Sequence, residues 1–156
     1  MWLNNELFRS VIASTPLISI DLVVQNSLGE CLLGQRLNRP AKGDWFVPGG
    51  RILKNETLDK AFSRLTLDEL GKTCQRYEAR LLGVYEHFYA DSVFAAADEG
   101  PDTHYVVLAY QIVLAKGDVL QPPRTQHNAY RWWSLDDMQT CEHVHSNTRA
   151  YLDALQ

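Results

Sequence analysis

The 156-residue chain lacks the features that mark several classes of protein. No apolar run approaches the roughly 18 residues that a membrane span needs, and the first residues show no signal-peptide pattern. There are only three cysteines, Cys31, Cys74 and Cys141, which are odd in number and widely spaced. Because that spacing fits neither a zinc site nor a disulfide framework, we expect reduced thiols in a cytoplasmic protein.

An excess of positive charge is also missing. The chain has 15 Lys and Arg residues against 19 Asp and Glu residues, which gives a net charge of −4. Proteins that bind nucleic acid or membrane surfaces usually carry a basic excess, so neither partner is expected. Basic residues are nevertheless concentrated locally, in a set that suits a small polyphosphate better than a polymer: Arg36, Arg39, Lys42, Arg51 and Arg64.

The chain does contain segments with strand-like and helix-like spacing of apolar residues, and it has no internal repeats. Length and composition predict one domain over residues 1–156. The patterns predict strands near 17–25, 30–36, 80–89, 103–114 and 130–134, and helices near 5–13, 57–70, 134–140 and 146–155. Residues 37–48 are expected to form a loop, and the acidic segment 91–102 a surface loop, with a lid or a dimer contact as alternatives. This order predicts an α/β class.

The segment from Thr57 to Leu70 carries the strongest helical pattern. Leu58, Ala61, Phe62 and Leu65 recur at three- and four-residue intervals, which forms one apolar stripe. Asn55 or Thr57 is the candidate N-cap, and Gly71 is expected to end the helix.

A carboxylate near the end of this helix is a candidate metal ligand. Glu69 is expected to lie beside the backbone carbonyls of a turn at Gly49 and Gly50. Carboxylate and carbonyl oxygens are the ligands that Mg²⁺ prefers, together with waters and substrate phosphates. The sequence therefore predicts a magnesium site here.

The segment Gly49 to Gly71 resembles the Nudix box, the signature of hydrolases that act on nucleoside diphosphates linked to another group. Five residues fall on the family pattern: Gly50, Glu56, Arg64, Glu69 and Gly71. Leu65 and Asp68 stand where the family has glutamates. Leucine can neither bind metal nor act as a base. Leu65 therefore predicts a reaction that differs from that of ordinary family members.

Beyond the box, the chain is similar to the GDP-mannose mannosyl hydrolases, a branch of the Nudix superfamily. The similarity rests on the pair Arg64-Leu65 and on the segments EHFY at 86–89, QHNAYRW at 126–132 and VHSNTRAY at 144–151. It implies an α/β/α sandwich with a mixed β-sheet, and a homodimer. It also implies Mg²⁺-dependent attack of water at the anomeric carbon of a nucleotide sugar, with inversion and release of GDP.

The resemblance assigns roles to individual residues. The Gly49 carbonyl, Glu69 and Gln126 are implied to hold Mg²⁺, with Mn²⁺ as a substitute. His127 is implied to be the general base and Arg36 to stabilise charge on the departing GDP. The remaining implied substrate contacts are Arg51, Arg64 and Tyr105 at the diphosphate, Asp21 and His87 at the sugar, and Trp2, Leu3 and Phe8 at the nucleotide end.

Alternatives stay open at this point. Asp21 lies in an alternating strand and could face solvent, and Phe8 could be ordinary core. A conventional Nudix pyrophosphohydrolase would attack phosphorus instead, although Leu65 argues against that chemistry. A non-catalytic nucleotide-sugar binding protein is the third alternative, against which stand Glu69, Gln126 and His127 together. Residue types do not decide between GDP-mannose and GDP-glucose.

Overall fold

Seven strands form one mixed sheet in this computed structural model, which describes residues 2–123 and 127–155, with the backbone alone at 127 and 128. The strands are β1 (Leu17–Gln25), β2 (Cys31–Arg36), β3 (Trp45–Phe46), β4 (Gly49–Arg51), β5 (Arg80–Tyr89), β6 (Thr103–Val113) and β7 (His127–Trp133). The helices are α1 (Asn5–Ser14), α2 (Leu58–Leu70), α3 (Leu135–Thr140), α4 (Ser146–Arg149) and α5 (Leu152–Leu155).

The sheet is organised around the parallel pair of β1 and β6. Its main order is β3-β2-β1-β6-β5, with β4 paired to β1 and β7 paired to β2. All pairs other than β1 with β6 are antiparallel. Because β1 is the central strand and pairs with β4, it brings the start of the box segment to the middle of the sheet.

Helices cover both faces of the sheet. Alternate residues of β1 point to opposite sides, since side chains alternate along a strand. On one side Ile20 and Leu22 pack against Phe62 of α2. On the other side Val23 packs in a cluster with residues of α3 and α5, among them Met138 and Leu152. The predicted α/β/α sandwich with a mixed sheet is confirmed.

Helix α2 follows its predicted pattern closely. Thr57 is the N-cap, since its side chain accepts a hydrogen bond from the Lys60 amide at 3.2 Å. Asn55, the other candidate cap, instead has a left-handed backbone with φ of 69°. Gly71 ends the helix with φ of 70°, a conformation that glycine adopts without steric cost. The assignment of Leu58 to the buried stripe was wrong, because this side chain is 39% exposed.

Four other predictions need correction. The expected loop at 37–48 contains β3, and the expected turn at Gly49 and Gly50 is the start of β4. These short strands are stabilised by pairing with β2 and β1, which local sequence does not reveal. Strand β7 begins at His127 instead of near residue 130, and the expected helix 146–155 is divided into α4 and α5.

Two expected absences can be examined over the described residues. No helix among residues 2–123 and 127–155 is long and apolar enough to cross a membrane. Cys31, Cys74 and Cys141 are all free thiols.

Candidate functional site

A cavity of about 610 Å³ opens between the sheet, α1 and the C-terminal half of α2. This volume is in the range of small-molecule sites. Ten of the predicted site residues line it: Trp2, Phe8, Asp21, Arg36, Gly49, Arg51, Arg64, Glu69, His87 and Tyr105. Predicted site residues that lie as far apart in sequence as 2 and 105 therefore line one cavity.

An ion pair connects the two ends of the box segment. Arg64 on α2 donates from Nε to Glu56 Oε1 at 2.6 Å and from Nη2 to Glu56 Oε2 and the Arg51 carbonyl, both at 2.9 Å. The hydrogen bond to Arg64 lowers the pKa of Glu56, which keeps that carboxylate charged. Two of these bonds thus hold the loop before α2 against the helix, and the third holds β4 there.

Leu65 lies beneath the first strand of the box segment and belongs to the core. It is 3% exposed and packs in the cluster that joins α2 to the sheet. A Cβ added at Gly50 would approach Leu65 Cδ2 to 2.6 Å, so a larger residue here would displace the end of the leucine side chain. The leucine therefore fills space where the family pattern places a carboxylate.

Glu69 is a buried carboxylate that faces the cavity. It is 4% exposed, and burial raises its pKa to about 7, with Arg36 opposing the shift and Asp68 and Asp21 adding to it. In the described part of the chain no hydrogen-bond donor reaches this carboxylate. Neighbouring carboxylates and burial both disfavour its charged form, which is the electrostatic setting that a divalent cation relieves.

The donor set fits a hard divalent cation of the magnesium class. Glu69 and Gly49 both line the cavity and offer oxygen ligands, which Mg²⁺ prefers. Gln126, the third predicted ligand, lies outside the described residues. Among residues 2–123 and 127–155 there is no group of three His, Cys, Asp or Glu side chains placed to hold a metal. The site thus differs from a cage of several carboxylates.

Arg36 is the cation at the centre of the cavity. It lies at the end of β2, and its charge acts on both Asp21 and Glu69. Its Nε is buried and has no hydrogen-bond partner among the described residues. A buried guanidinium with unused donors is suited to a bidentate anion such as a phosphate.

Asp21 and His87 meet through a residue that the sequence did not single out. Tyr151 donates from its hydroxyl to Asp21 Oδ2 at 2.5 Å, and its oxygen lies 3.3 Å from His87 Nε2. Asp21 is 7% exposed, so the alternative that it faces solvent is wrong. Burial raises the pKa of Asp21 to about 7, opposed by the Tyr151 hydrogen bond and by Arg36. Burial lowers the pKa of His87 to about 4, so His87 is neutral at pH 7.

Aromatic rings line the wall beside His87. Phe46 and Tyr89 lie with ring centroids 6.0 Å and 6.4 Å from the His87 ring, both nearly perpendicular to it. Tyr105 lies 6.3 Å from Tyr89, and burial raises the pKa of its phenol, so it remains a neutral hydrogen-bond donor. One end of the cavity is thus polar and charged, and the adjoining end is a ring-lined recess.

The opposite rim combines a cation with exposed aromatics. The Arg51 guanidinium lies 4.2 Å from the Phe8 ring centre and 5.8 Å from that of Trp2. Phe8 therefore lines the cavity rather than the core, and Trp2 is 73% exposed. Leu3 does not line this cavity. It lies in a neighbouring apolar depression on the other side of Arg51.

The segment that precedes β7 is anchored near Glu69. The Gln121 amide donates to the Leu70 carbonyl at 3.1 Å, and the Tyr130 hydroxyl donates to the Pro123 carbonyl at 2.8 Å. The backbone of His127 is paired with Arg36 across β7 and β2. The predicted base therefore starts its strand directly opposite the central cation of the cavity.

Tyr151 was missed because no local pattern marks it. It lies between two short helices, 130 residues from its partner Asp21. The one available signal was that Tyr151 ends the segment VHSNTRAY, on which the resemblance partly rests. A fully buried tyrosine needs a partner for its hydroxyl.

Three comparisons with known proteins place the chain among its relatives. The family model described as NUDIX domain matches residues 15–155. A curated relative, the low-salt glycan biosynthesis protein Agl8 of Haloferax volcanii, is 38% identical over 151 residues, covering 97% of this chain and 89% of that protein.

Solved structures share the fold. A MutT NUDIX hydrolase from Burkholderia pseudomallei is 26% identical with a TM-score of 0.71, and the match covers 92% of this chain and 100% of that one. The NUDIX domain of Shewanella oneidensis NrtR, solved with ADP ribose, is 18% identical with a TM-score of 0.67, covering 98% and 96%. At that identity the second likeness concerns the fold alone.

Proposed function

The chain belongs to the NUDIX family, and we propose from this premise that it hydrolyses a GDP-linked hexose, GDP-mannose or GDP-glucose, to GDP and free sugar. The family acts on nucleoside diphosphate derivatives and generally uses divalent metal ions such as Mg²⁺. The proposal adds the substrate and the bond: water attacks the anomeric carbon, with inversion, instead of phosphorus.

The observation that carries the proposal is the burial of Leu65. The side chain is part of the core under Gly50, so α2 presents the cavity with Glu69 but with no carboxylate at the Leu65 position. Asp68 also lines the cavity, but its side chain is 53% exposed and its carboxylate lies 3.7 Å from the Arg64 guanidinium. A site with few carboxylates is better suited to stabilising a departing diphosphate than to activating water beside phosphorus.

The residues divide between the two halves of such a substrate. Arg36, Arg51 and Tyr105 form a cationic and hydrogen-bonding wall for the diphosphate. Asp21 and His87 lie in the ring-lined recess and provide hydrogen-bond acceptors for sugar hydroxyls. Trp2 and Phe8 at the opposite rim would contact the nucleoside.

His127 is proposed as the general base. An imidazole takes a proton from water efficiently at neutral pH, and inversion needs a base on the face opposite the leaving group. A divalent cation held by the Gly49 carbonyl, Glu69 and Gln126 would neutralise charge on the diphosphate. Because GDP then leaves as a stabilised anion, no residue has to protonate it.

The glycan biosynthesis named for the Haloferax relative supports a nucleotide-sugar substrate, since glycans are built from activated sugars. The resemblance further suggests that residues 1–156 form one domain, that the protein is a homodimer and that it is cytoplasmic. Sedimentation analysis of the purified protein tests the dimer.

The test of the reaction is hydrolysis of GDP-mannose with Mg²⁺ in ¹⁸O-labelled water, with the products separated by mass. Label in free mannose, with unlabelled GDP, is the expected result. GMP and mannose 1-phosphate, one of them labelled, would instead identify a conventional pyrophosphohydrolase. Binding without products would identify a nucleotide-sugar binding protein.

A further inference from the structure

We propose that Tyr151 is a positioning residue that fixes the tautomer of His87 and the orientation of Asp21, and thereby the sugar hydroxyls that the cavity accepts. The part of this inference that concerns sugars rests on the proposed function, whereas the part that concerns the tautomer does not. It starts from one hydroxyl, which lies 2.5 Å from Asp21 Oδ2 and 3.3 Å from His87 Nε2.

Counting protons determines the direction of these hydrogen bonds. A tyrosine hydroxyl has one proton to donate and lone pairs to accept with. An ionised Asp21 can only accept, so the Tyr151 proton lies on the short bond to Oδ2. The Tyr151 oxygen is then an acceptor, and His87 must carry its proton on Nε2 to complete the second bond.

The consequence is that the opposite nitrogen of His87 is an acceptor. Neutral imidazole has one N–H and one bare nitrogen, so a proton on Nε2 leaves Nδ1 unprotonated. Nδ1 has no hydrogen-bond partner among the described residues, and His87 lines the cavity. Asp21 likewise keeps Oδ1 for a ligand, because Tyr151 binds Oδ2. Two acceptors therefore face a ligand whose donors are hydroxyl groups.

The Tyr151 ring is held rigidly enough to impose this arrangement. It is fully buried and packs edge-on against Tyr85 with centroids 4.7 Å apart and an interplanar angle of 89°. The backbone at this point is fixed by the Tyr151 amide, which donates to the Thr148 carbonyl at 3.1 Å. A buried site that hydrogen-bonds substrate hydroxyls discriminates strongly, because a mismatched sugar leaves the acceptors unpaired.

The first experiment reads the tautomer by ¹⁵N NMR of histidine-labelled protein, with the His87 signals assigned from a His87→Gln variant. The wild-type protein at pH 9, where Asp21 is ionised because burial raises its pKa only to about 7, is expected to show His87 protonated on Nε2. Tyr151→Phe removes only the hydroxyl and should convert His87 to a mixture of tautomers. Tyr85→Phe is the matched control, since it removes a hydroxyl from the neighbouring ring in the same cluster and should leave the tautomer unchanged.

A wild-type His87 protonated on Nδ1, or a tautomer unaffected by Tyr151→Phe, would overturn the assignment. The wild-type measurement alone decides the matter if the variant fails to fold. Neither measurement of the tautomer, in the wild-type protein or in Tyr151→Phe, depends on catalytic activity. Failure of the proposed function would therefore not affect the result.

The second experiment measures binding in a His127→Ala background, with Mg²⁺ present and turnover suppressed. Adding Tyr151→Phe should weaken GDP-mannose binding about 10- to 100-fold, the usual cost of a hydrogen bond to a charged group, and leave GDP binding unchanged. Equal weakening of both ligands, or of neither, would contradict a role at the sugar. If GDP-mannose binds no better than GDP even before Tyr151 is changed, the substrate assignment fails instead.

Discussion

The guanidinium of Arg64 lies 2.6 Å from the carboxylate of Glu56, and this ion pair joins the loop before α2 to the second turn of the helix. Because Arg64 also donates to the Arg51 carbonyl, it fixes β4 relative to α2. Arg64, which was expected to contact the diphosphate, therefore uses most of its donors within the protein.

We expect Arg64→Lys to affect stability more than Arg36→Lys does. A lysine cannot reproduce the forked contact with Glu56, so unfolding free energy should fall by about 1–3 kcal/mol. Urea denaturation in the absence of metal measures the loss. Glu56→Gln, which keeps the shape of the partner but removes its charge, should reproduce much of it. Unchanged midpoints in both variants would show that the pair contributes little.

Arg36→Ala should instead act on catalysis. Its buried Nε and its place between Asp21 and Glu69 suit it to an incoming anion, so we expect kcat to fall by about 10²–10³-fold. Lys42→Ala is the control, because it removes one positive charge from the same stretch of chain but does not line the cavity. Equal activity losses in the two variants would mean that Arg36 contributes only its positive charge and no specific contact with the substrate.

Leu65→Glu tests whether the leucine has become part of the core. The new carboxylate would be buried near Glu69 and Asp68, so we expect unfolding free energy in chelator to fall by about 3–5 kcal/mol. Adding Mg²⁺ should restore part of this loss. The rise in unfolding free energy on adding Mg²⁺ should be larger for Leu65→Glu than for the wild-type protein. Leu65→Met, which conserves volume, should cost less than about 1.5 kcal/mol. A glutamate tolerated without metal would contradict the assignment.

His87 should make the fold sensitive to mild acid. Its pKa is about 4 in the folded protein and near 6.5 when unfolded, so between these values the unfolded state binds more protons. The stability from neutral His87 is fully present above pH 6.5 and is lost as pH falls toward 4. Relative to His87→Gln, the wild-type advantage in unfolding free energy should shrink between pH 7 and pH 5 in chelator.

The exposed His143 provides the control for that measurement, since its side chain is 70% exposed. The change with pH in the difference between wild type and His143→Gln gives the contribution of an exposed imidazole, and the change for His87→Gln should exceed it. A change for His87→Gln that does not exceed it would mean that His87 is solvated in the native protein.

The sequence predicted those features of the fold and the site that depend on residues close together in the chain. The pattern of α2 and the glycine that ends it are local, and both were predicted correctly. The resemblance, and not the box spacing, assigned Asp21 and His87 to one site, and both line the cavity. It includes the segment that ends at Tyr151 but gives that residue no role, because the contact with Asp21 depends on how the two C-terminal helices close over the sheet. Strands β3 and β4 escaped prediction for the same reason, since pairing and not propensity holds them in place.

The decisive catalytic prediction concerns His127. Its backbone pairs with Arg36, so the strand begins at the cavity, and a histidine base is commonly worth about 10²–10⁴-fold in rate. His127→Ala should lower kcat by that factor while GDP-mannose still binds, because the diphosphate contacts come from other residues. His143→Ala should retain wild-type turnover, which separates loss of the base from loss of any imidazole. Full activity in His127→Ala would require another base, and loss of both binding and turnover would make His127 part of the binding wall. Only a selective loss of kcat is compatible with proton transfer from water by this residue.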